Sequence, residues 1–385
     1  MNRRLRMGMV GGGKDAFIGA VHRIAARMDD KIELVCGAFS STPAKSISSG
    51  KELMLPVDRC YGTYQEMLAE ERKRPEGDRM DFVCIVTPNH MHYPEAMAAL
   101  DAGFHVACDK PMTLNLDQAR KLEKKVKSSG LLFCLTHNYT GNAMVKEARH
   151  LVKSSALGKI RRVVVEYPQG WLAGRLEATG QKQAAWRTDP KRAGGSCCMG
   201  DIGTHCANLA EYVTGSPISE LSAELTTWVK GRPLDDDGSV LIHFTNGAKG
   251  ILWASQIAVG KENGLNIRVY GEKGALEWMQ EEPNSLVVRW TDKPLEIRRT
   301  GTGFVGKEAA AVVRIPAGHP EGYLEAFANI YRDFAAALSA KLDGKNIKES
   351  NCDYPQVSDG VRGMAFLDAV VKSSKAKGKW TKVEK

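Results

Sequence analysis

Residues 5–22 read LRMGMVGGGKDAFIGAVH, an apolar run that stops on three glycines and passes into a helical pattern. The opening run is nearly continuous in apolar character, as expected of a strand buried on both faces of a parallel sheet. Beyond the glycines, Val21, Ile24, Ala25 and Met28 recur at helical spacing. Gly11 and Gly13 match the first two positions of a dinucleotide fingerprint and Ala16 the third, with Phe17 and Ile18 at the helix start. Glycines here let the backbone approach a pyrophosphate, and the helix N-terminus offers unpaired N–H groups and a partial positive charge. A glycine-rich turn without a ligand has the same letters, so the rest of the chain has to separate the two.

The strand–helix alternation continues. IELVCGAF (32–39), DFVCIVT (81–87), HVACD (105–109) and LLFCL (131–135) are further short apolar runs, and Leu116, Ala119, Leu122 and Val126 mark another helix. This predicts an N-terminal Rossmann domain over 1–136, a doubly wound parallel sheet with helices on both faces. Ligands of such sheets lie outside the carboxyl ends of the strands. The runs ending at Thr87, Asp109 and Leu135 are expected as the fourth, fifth and sixth strands. Their ends bring Thr87, Pro88 and Asn89, then His90 and His92, and then Asp109, Lys110 and Pro111 to the edge that carries Gly11. Pro111 disfavours helical backbone at Lys110 and so stiffens it. An ammonium held there can stabilise negative charge developing on an oxygen.

An acid about 20 residues past the glycines normally receives the ribose. Glu33 has that spacing but opens the second strand, at the wrong end. The other end carries Ser40, Ser41, Thr42 and Lys45, which suit a 2′-phosphate, so NAD and NADP both remain open.

After about residue 155 the texture changes. The stretches 159–170, 218–231, 239–256 and 266–278 are long strand candidates joined by turn signals such as Asn246-Gly247. The fold class is therefore α/β plus α+β. Residues 137–318 are expected to form a second domain with a large open, mostly antiparallel sheet, and 319–385 to add helices near 320–340 and 356–373. Just after Gly194-Gly195, Asp201 and His205 stand four apart at a helix start, a spacing that puts both on one face. A histidine beside a carboxylate is suited to proton transfer. Cys198 shares that face, but no compact Cys-x-x-Cys set accompanies it, so no metal is expected. The stretch 167–190 offers Trp171 and Trp186 as apolar ring faces and Arg175, Lys182, Gln183 and Arg187 as hydrogen-bonding partners for a ligand. His137, Asn138 and Tyr139 follow LLFCL as further substrate neighbours. Taken singly, each of these also suits a loop anchored to a sheet.

The 385 residues, 43% of them hydrophobic, suffice for two cores. The net charge of +9 comes from basic residues mixed with acids, without an aromatic-interleaved stripe, which speaks against a nucleic-acid partner. Nine scattered cysteines, several of them inside apolar runs, read as free thiols of a reducing compartment, and no stretch reaches membrane-spanning length. Cytoplasm is the expected location.

The chain resembles the glucose–fructose oxidoreductase/inositol dehydrogenase/rhizopine-catabolism (Gfo/Idh/MocA) oxidoreductases over nearly its whole length. The resemblance rests on GGGKDAFIGAVH (11–22), on TPNHMH (87–92) followed by AALDAGFHVACDKPMT (98–113), and on GGSCCMGDIGTHCANL (194–209). Asp109-Lys110-Pro111 stands where the family has Glu-Lys-Pro, and Gly19 and His22 lie three residues farther from Gly13 than in the family's G-x-G-x-x-G-x-x-H. The resemblance implies an NAD(P)-dependent dehydrogenase acting on a sugar, glycoside or cyclitol, favoured as the 3-hydroxyl of a glucoside. It assigns Lys110, Asp201 and His205 to catalysis, the 167–190 region to the substrate, and self-association into a dimer or tetramer to the open sheet. A relative that cleaves glycosides by transient oxidation with cofactor recycling, and a cofactor-binding sensor, are the alternatives.

Overall fold

The computed structural model describes residues 3–347 and 352–384. The chain divides into two compact units. The first comprises the residues up to Thr113, Asp117–Thr136 and Phe327–Val361, and the second Leu114–Leu116, His137–Ala326 and the chain from Arg362 on.

In the first unit, β1 (Leu5–Gly11), β2 (Ile32–Ala38), β3 (Phe82–Val86), β4 (His105–Cys108) and β5 (Phe133–Leu135) form a wholly parallel sheet in the order β2-β1-β3-β4-β5. All five residues of β3 are buried, as a strand covered on both faces requires. The strand order reverses between β1 and β3, the switch point at which such sheets open a crevice for ligands. The runs ending near Thr87, Asp109 and Leu135 are thus the third, fourth and fifth strands, not the fourth to sixth. The segment between β2 and β3 forms the helices Pro43–Glu52 and Tyr64–Lys73 around a short turn, and touches the sheet through an isolated Gly37–Cys60 bridge.

The 319–385 region is shared out rather than separate. Helix Tyr323–Leu342 buries Phe327, Ile330, Tyr331 and Phe334. Phe334 meets Phe82 of β3 edge-on at 5.2 Å, and Tyr331 hydrogen-bonds the buried His22 at 2.7 Å. These apolar contacts with the parallel sheet place Phe327–Val361 in the first unit.

In the second unit, β6 (Ile160–Pro168), β7 (Ile218–Thr226), β8 (Asp237–Phe244), β9 (Lys249–Ser255), β10 (Asn266–Gly271), β11 (Gly274–Met279), β12 (Ser285–Trp290), β13 (Glu296–Arg299) and β14 (Thr381–Lys382) build one sheet. Its order is β13-β12-β11-β10-β6-β9-β8-β7-β14. Among the described residues every neighbouring pair is antiparallel except β6 with β9. One face is apolar, with Val163, Val165, Val240, Leu252, Ile267, Leu276 and Leu286 buried, and helices Ala143–Lys153 and Thr204–Thr214 belong to this unit. On the other face a row runs in register across the sheet through Leu241, Ile251, Val164, Arg268, Glu277, Val287 and Ile297. Strand alternation makes both faces necessary consequences of the same sequence. Among the described residues no cysteine forms a disulfide. Among the described residues no helix is long and apolar enough to cross a membrane.

Candidate active site

The glycine loop closes the carboxyl end of β1. Gly11 and Gly12 adopt positive φ of 81° and 70°, a conformation glycine enters without steric cost. Gly13 donates its N–H to the Phe39 carbonyl at 3.2 Å, and a Cβ there would lie 2.7 Å from Ser49 Oγ. Helix Phe17–Arg27 starts without a side-chain cap and without an acid in its first turn. A backbone cradle with no room for a side chain, facing an uncapped helix start, fits a pyrophosphate. Phe17 is exposed and Ile18 half-buried at that start.

One assignment changes. The fingerprint glycine that allows close helix–strand packing is Gly19, not Ala16, because a Cβ on Gly19 would come within 2.3 Å of Gly12 Cα. The helix begins only at Phe17, so the position that meets the strand moves along by three residues.

At the end of β4 the Asp109 carboxylate accepts the main-chain N–H of Lys110 at 2.9 Å and the Thr136 hydroxyl at 3.1 Å. The Lys110–Pro111 peptide is cis. The acid of the Asp-Lys-Pro triplet thereby fixes the backbone that carries the ammonium. His92, 1% exposed, sets its two ring nitrogens 2.7 Å from the carbonyl oxygens of Thr87 and Pro111. It ties the end of β3 to the loop after β4, with both nitrogens on main chain. Burial pulls its pKa down and the Asp109 charge opposes that pull. Pro88 is half-buried and Asn89 buried at the start of helix Asn89–Asp101.

Thr87 donates its hydroxyl to Glu95 at 2.6 Å, and burial pushes the Glu95 carboxyl up to about 8. The folded state holds this proton well above the pH at which an unfolded carboxyl releases it. Stability from this group is therefore full below about pH 4.3 and declines until about pH 8, where the folded state also ionises. Glu95→Gln, which keeps a hydrogen-bonding amide, is expected to unfold at the same denaturant midpoint as the parent at pH 4 and at a higher one at pH 8.5. An unchanged difference between the two pH values would contradict this.

In the second unit, buried Asp235 accepts the hydroxyl of Ser196 and the main-chain N–H groups of Cys197 and Met199 at 2.9–3.0 Å. This carboxyl group, its pKa pushed up by burial and drawn back by the three donors, anchors the chain where helical structure begins. The next turn, Met199–Gly203, is π-helical and carries Asp201, and the α-helix Thr204–Thr214 carries His205. Such widened turns recur at functional sites. Asp201 Oδ2 accepts from Arg187 Nε at 3.0 Å and from Gln256 Nε2 at 2.9 Å. Arg187 also reaches Gln183 Oε1 at 2.5 Å and lies 4.2 Å above the Trp186 ring. Arg187, expected as a partner of sugar hydroxyls, gives its Nε–H to Asp201.

His205, 7% exposed, meets His137 with the two Nδ1 atoms 3.4 Å apart and packs edge-on against Tyr139 at 4.8 Å. Tyr139 and Tyr167 share a hydrogen bond of 2.5 Å between hydroxyls, and Tyr167 donates to Asn263 at 2.6 Å. Burial pushes the Tyr139 phenol up to about 12, so it stays protonated near neutrality. The buried amide nitrogen of Asn138, in the same short turn as Tyr139, has no hydrogen-bond partner. Buried amides normally have one, so this group suits a polar ligand.

Trp171 is half-buried on the cluster of Leu172, Ala184, Ala193, Cys197 and Leu234, with its indole N–H on Gln169 at 3.0 Å. Trp186 donates to Gln183 at 3.2 Å, and Arg175 is exposed near Gly231. Both tryptophans therefore help to anchor their loop. Cys197 faces Gln256 at 3.5 Å, Cys198 is fully buried, and among the described residues no group of three or more His, Cys, Asp or Glu is placed to hold a metal. Gln256, Tyr167 and Asn263 were not legible as site residues. For Tyr167 and Gln256 the signal is topological: β6 and β9 run parallel, so Tyr167 near the end of β6 and Gln256 just past β9 share one edge, whereas Asn263 arrives on the turn before β10.

Residues 5–137 match the model of an oxidoreductase family with an NAD-binding Rossmann fold, and residues 145–277 match the GFO/IDH/MocA C-terminal domain. An inositol dehydrogenase homolog from Azotobacter vinelandii, complexed with NAD+, superposes with a TM-score of 0.95 at 34% identity, covering 99% of this chain and 98% of the other.

The chain belongs to the Gfo/Idh/MocA oxidoreductases.

An oxidoreductase from Sinorhizobium meliloti is 47% identical, with a TM-score of 0.89 and coverage of 98% and 99% of the two chains. Levoglucosan dehydrogenase of Pseudarthrobacter phenanthrenivorans is 26% identical over 99% of this chain and 98% of its own. This Gfo/Idh/MocA oxidoreductase binds NAD through its Rossmann unit.

Proposed function

We propose that this enzyme oxidises a secondary alcohol of a sugar, glycoside or cyclitol, with the 3-hydroxyl of a glucoside as the favoured reading. The observation that carries the proposal is the Asp201–His205 pair, its carboxylate gripped by Arg187 and Gln256 and its imidazole set against His137 and Tyr139. The names of two relatives, an inositol dehydrogenase homolog and a levoglucosan dehydrogenase, support the polyol class.

A bound nicotinamide supplies the hydride acceptor. His205 takes the proton of the reacting hydroxyl, and Lys110 stabilises the charge growing on that oxygen. Asp201, held on one oxygen by two donors, orients His205 or a neighbouring hydroxyl. Asn138 and Tyr139 bind the substrate, the first through its unpartnered amide. Trp171, Trp186 and Arg175 bound the substrate loop, and Arg187 serves the site through Asp201. The free thiols support a reducing compartment, the cytoplasm.

The test is incubation of the purified enzyme with NAD and a panel of glucosides, anhydrosugars and inositols. Net formation of NADH is expected with at least one member. Turnover without NADH accumulation would point to glycoside cleavage with cofactor recycling, and NADH binding without turnover on the whole panel would point to a sensor.

The open face of the large sheet supports self-association into a dimer or tetramer. Leu241 is 50%, Ile251 40%, Tyr270 41%, Met279 42% and Ile297 58% exposed on this sheet. A single-chain mass in sedimentation velocity at micromolar concentration would contradict this.

A further inference from the structure

The glycine loop resolves the question of the missing ribose acid. Lys14, Asp15 and Ala16 fill the three extra positions before the helix, and they fold away from the sheet onto helix Pro43–Glu52. Three hydrogen bonds or ion pairs fix Lys14 and Asp15 there, and a fourth holds Gly13 beside them. Gly13 N–H reaches the Phe39 carbonyl at 3.2 Å, Lys14 N–H reaches Ser49 Oγ at 3.1 Å, Lys14 Nζ pairs with Glu52 at 3.1 Å, and Lys45 Nζ pairs with Asp15 at 3.0 Å. Asp15 sits at φ 67°, in the left-handed region that Asp and Asn tolerate better than other side-chain-bearing residues.

The corner between the glycine loop and the carboxyl end of the second strand is where this fold receives the adenosine ribose. Glu33 is not there, being paired in register with Arg6 near the start of β1. Ser40 Oγ accepts the Thr42 N–H at 3.2 Å, and the helix that follows starts with Pro43 and has no acid in its first turn. Without Asp15, hydroxyls, an uncapped helix start and Lys45 would make this corner attractive to a 2′-phosphate. With Asp15, a carboxylate stands in it and occupies the lysine.

We propose that Asp15, carried in the extended glycine loop, is the residue that selects NAD over NADP, by occupying Lys45 and offering a carboxylate where a 2′-phosphate would otherwise bind. A ribose 2′-hydroxyl can donate to that carboxylate, whereas a 2′-phosphate meets a like charge. Lys45 is a latent phosphate ligand that the loop holds in check.

The test needs no substrate, so its outcome is independent of the alcohol chemistry proposed above. Binding of NADH and of NADPH to the full chain is followed by the fluorescence of the reduced nicotinamide, for the parent, Asp15→Asn and the double variant Asp15→Asn/Lys45→Ala. Asn keeps the left-handed backbone and removes only the charge. The parent is expected to bind NADH at least about tenfold more tightly than NADPH, a gap of the size a single like-charge contact can produce. Asp15→Asn is expected to close most of that gap by tightening NADPH, and the double variant to lose the gain. Equal or stronger binding of NADPH by the parent overturns the proposal. A ratio unchanged in Asp15→Asn, or an NADPH gain that persists without Lys45, does the same.

Discussion

Lys110→Ala is expected to lower kcat by about a hundred- to ten-thousand-fold on any substrate that reduces NAD, while leaving NADH binding largely intact. The reason lies in how the side chain is carried. Lys110 follows β4 directly, its main-chain N–H is held by Asp109, and Asp109 is held in turn by Thr136. The loop after it is tied to the end of β3 through His92. A surface lysine needs none of this support. On the proposed mechanism, removing the ammonium takes away a charge that stabilises an oxygen becoming negative only as the reaction proceeds, so the loss falls on kcat. A matching loss in His205→Ala, with both variants still binding NADH, would assign the two groups to one step. If either variant turned over near the parental rate, the mechanism would be wrong.

Gly19→Val is expected to destabilise the Rossmann unit by at least about 3 kcal/mol and to abolish NADH binding. The first atom of the new side chain would stand 2.3 Å from Gly12 Cα and 2.4 Å from its carbonyl oxygen, both main chain that cannot rotate away. Gly12 is itself in the left-handed region at φ 70°, and a Cβ there would meet Gly19 Cα at 2.8 Å. Strand and helix touch through two glycines, so any accommodation moves the helix start off the loop that receives the pyrophosphate. Ala16→Gly, at the position the fingerprint spacing suggests, should change stability by no more than about 1 kcal/mol. Chemical denaturation of both variants tells the two positions apart. A tolerant Gly19 would refute the packing argument.

The contrast between Ala16 and Gly19 shows what the sequence could and could not convey. Local chemistry was legible: an apolar run, glycines and a helical stripe identify a strand–loop–helix unit, and strand ends in a parallel sheet must share an edge. Loop length was not, because the letters do not say where the helix begins, and that start decides which glycine meets the strand. Asp201 and His205 could be paired from a spacing of four. Their partners Gln256 and His137 could not, since they arrive through strand pairing and a turn far along the chain. Arg187 was visible as a cation near the substrate region, but only the fold shows that Asp201 claims it. The apolar stripe of helix Tyr323–Leu342 announced a buried face without naming the parallel sheet that its later turns cover.

The proposed mechanism has the Lys110 ammonium and the His205 imidazole act on one alcohol. A crystal structure of the enzyme with NADH and a bound polyol tests it most directly. The account predicts Lys110 Nζ and His205 each within hydrogen-bonding distance of the same hydroxyl oxygen, whose carbon faces the nicotinamide. A polyol bound elsewhere, or a Lys110 ammonium turned to bulk solvent in that complex, would contradict it.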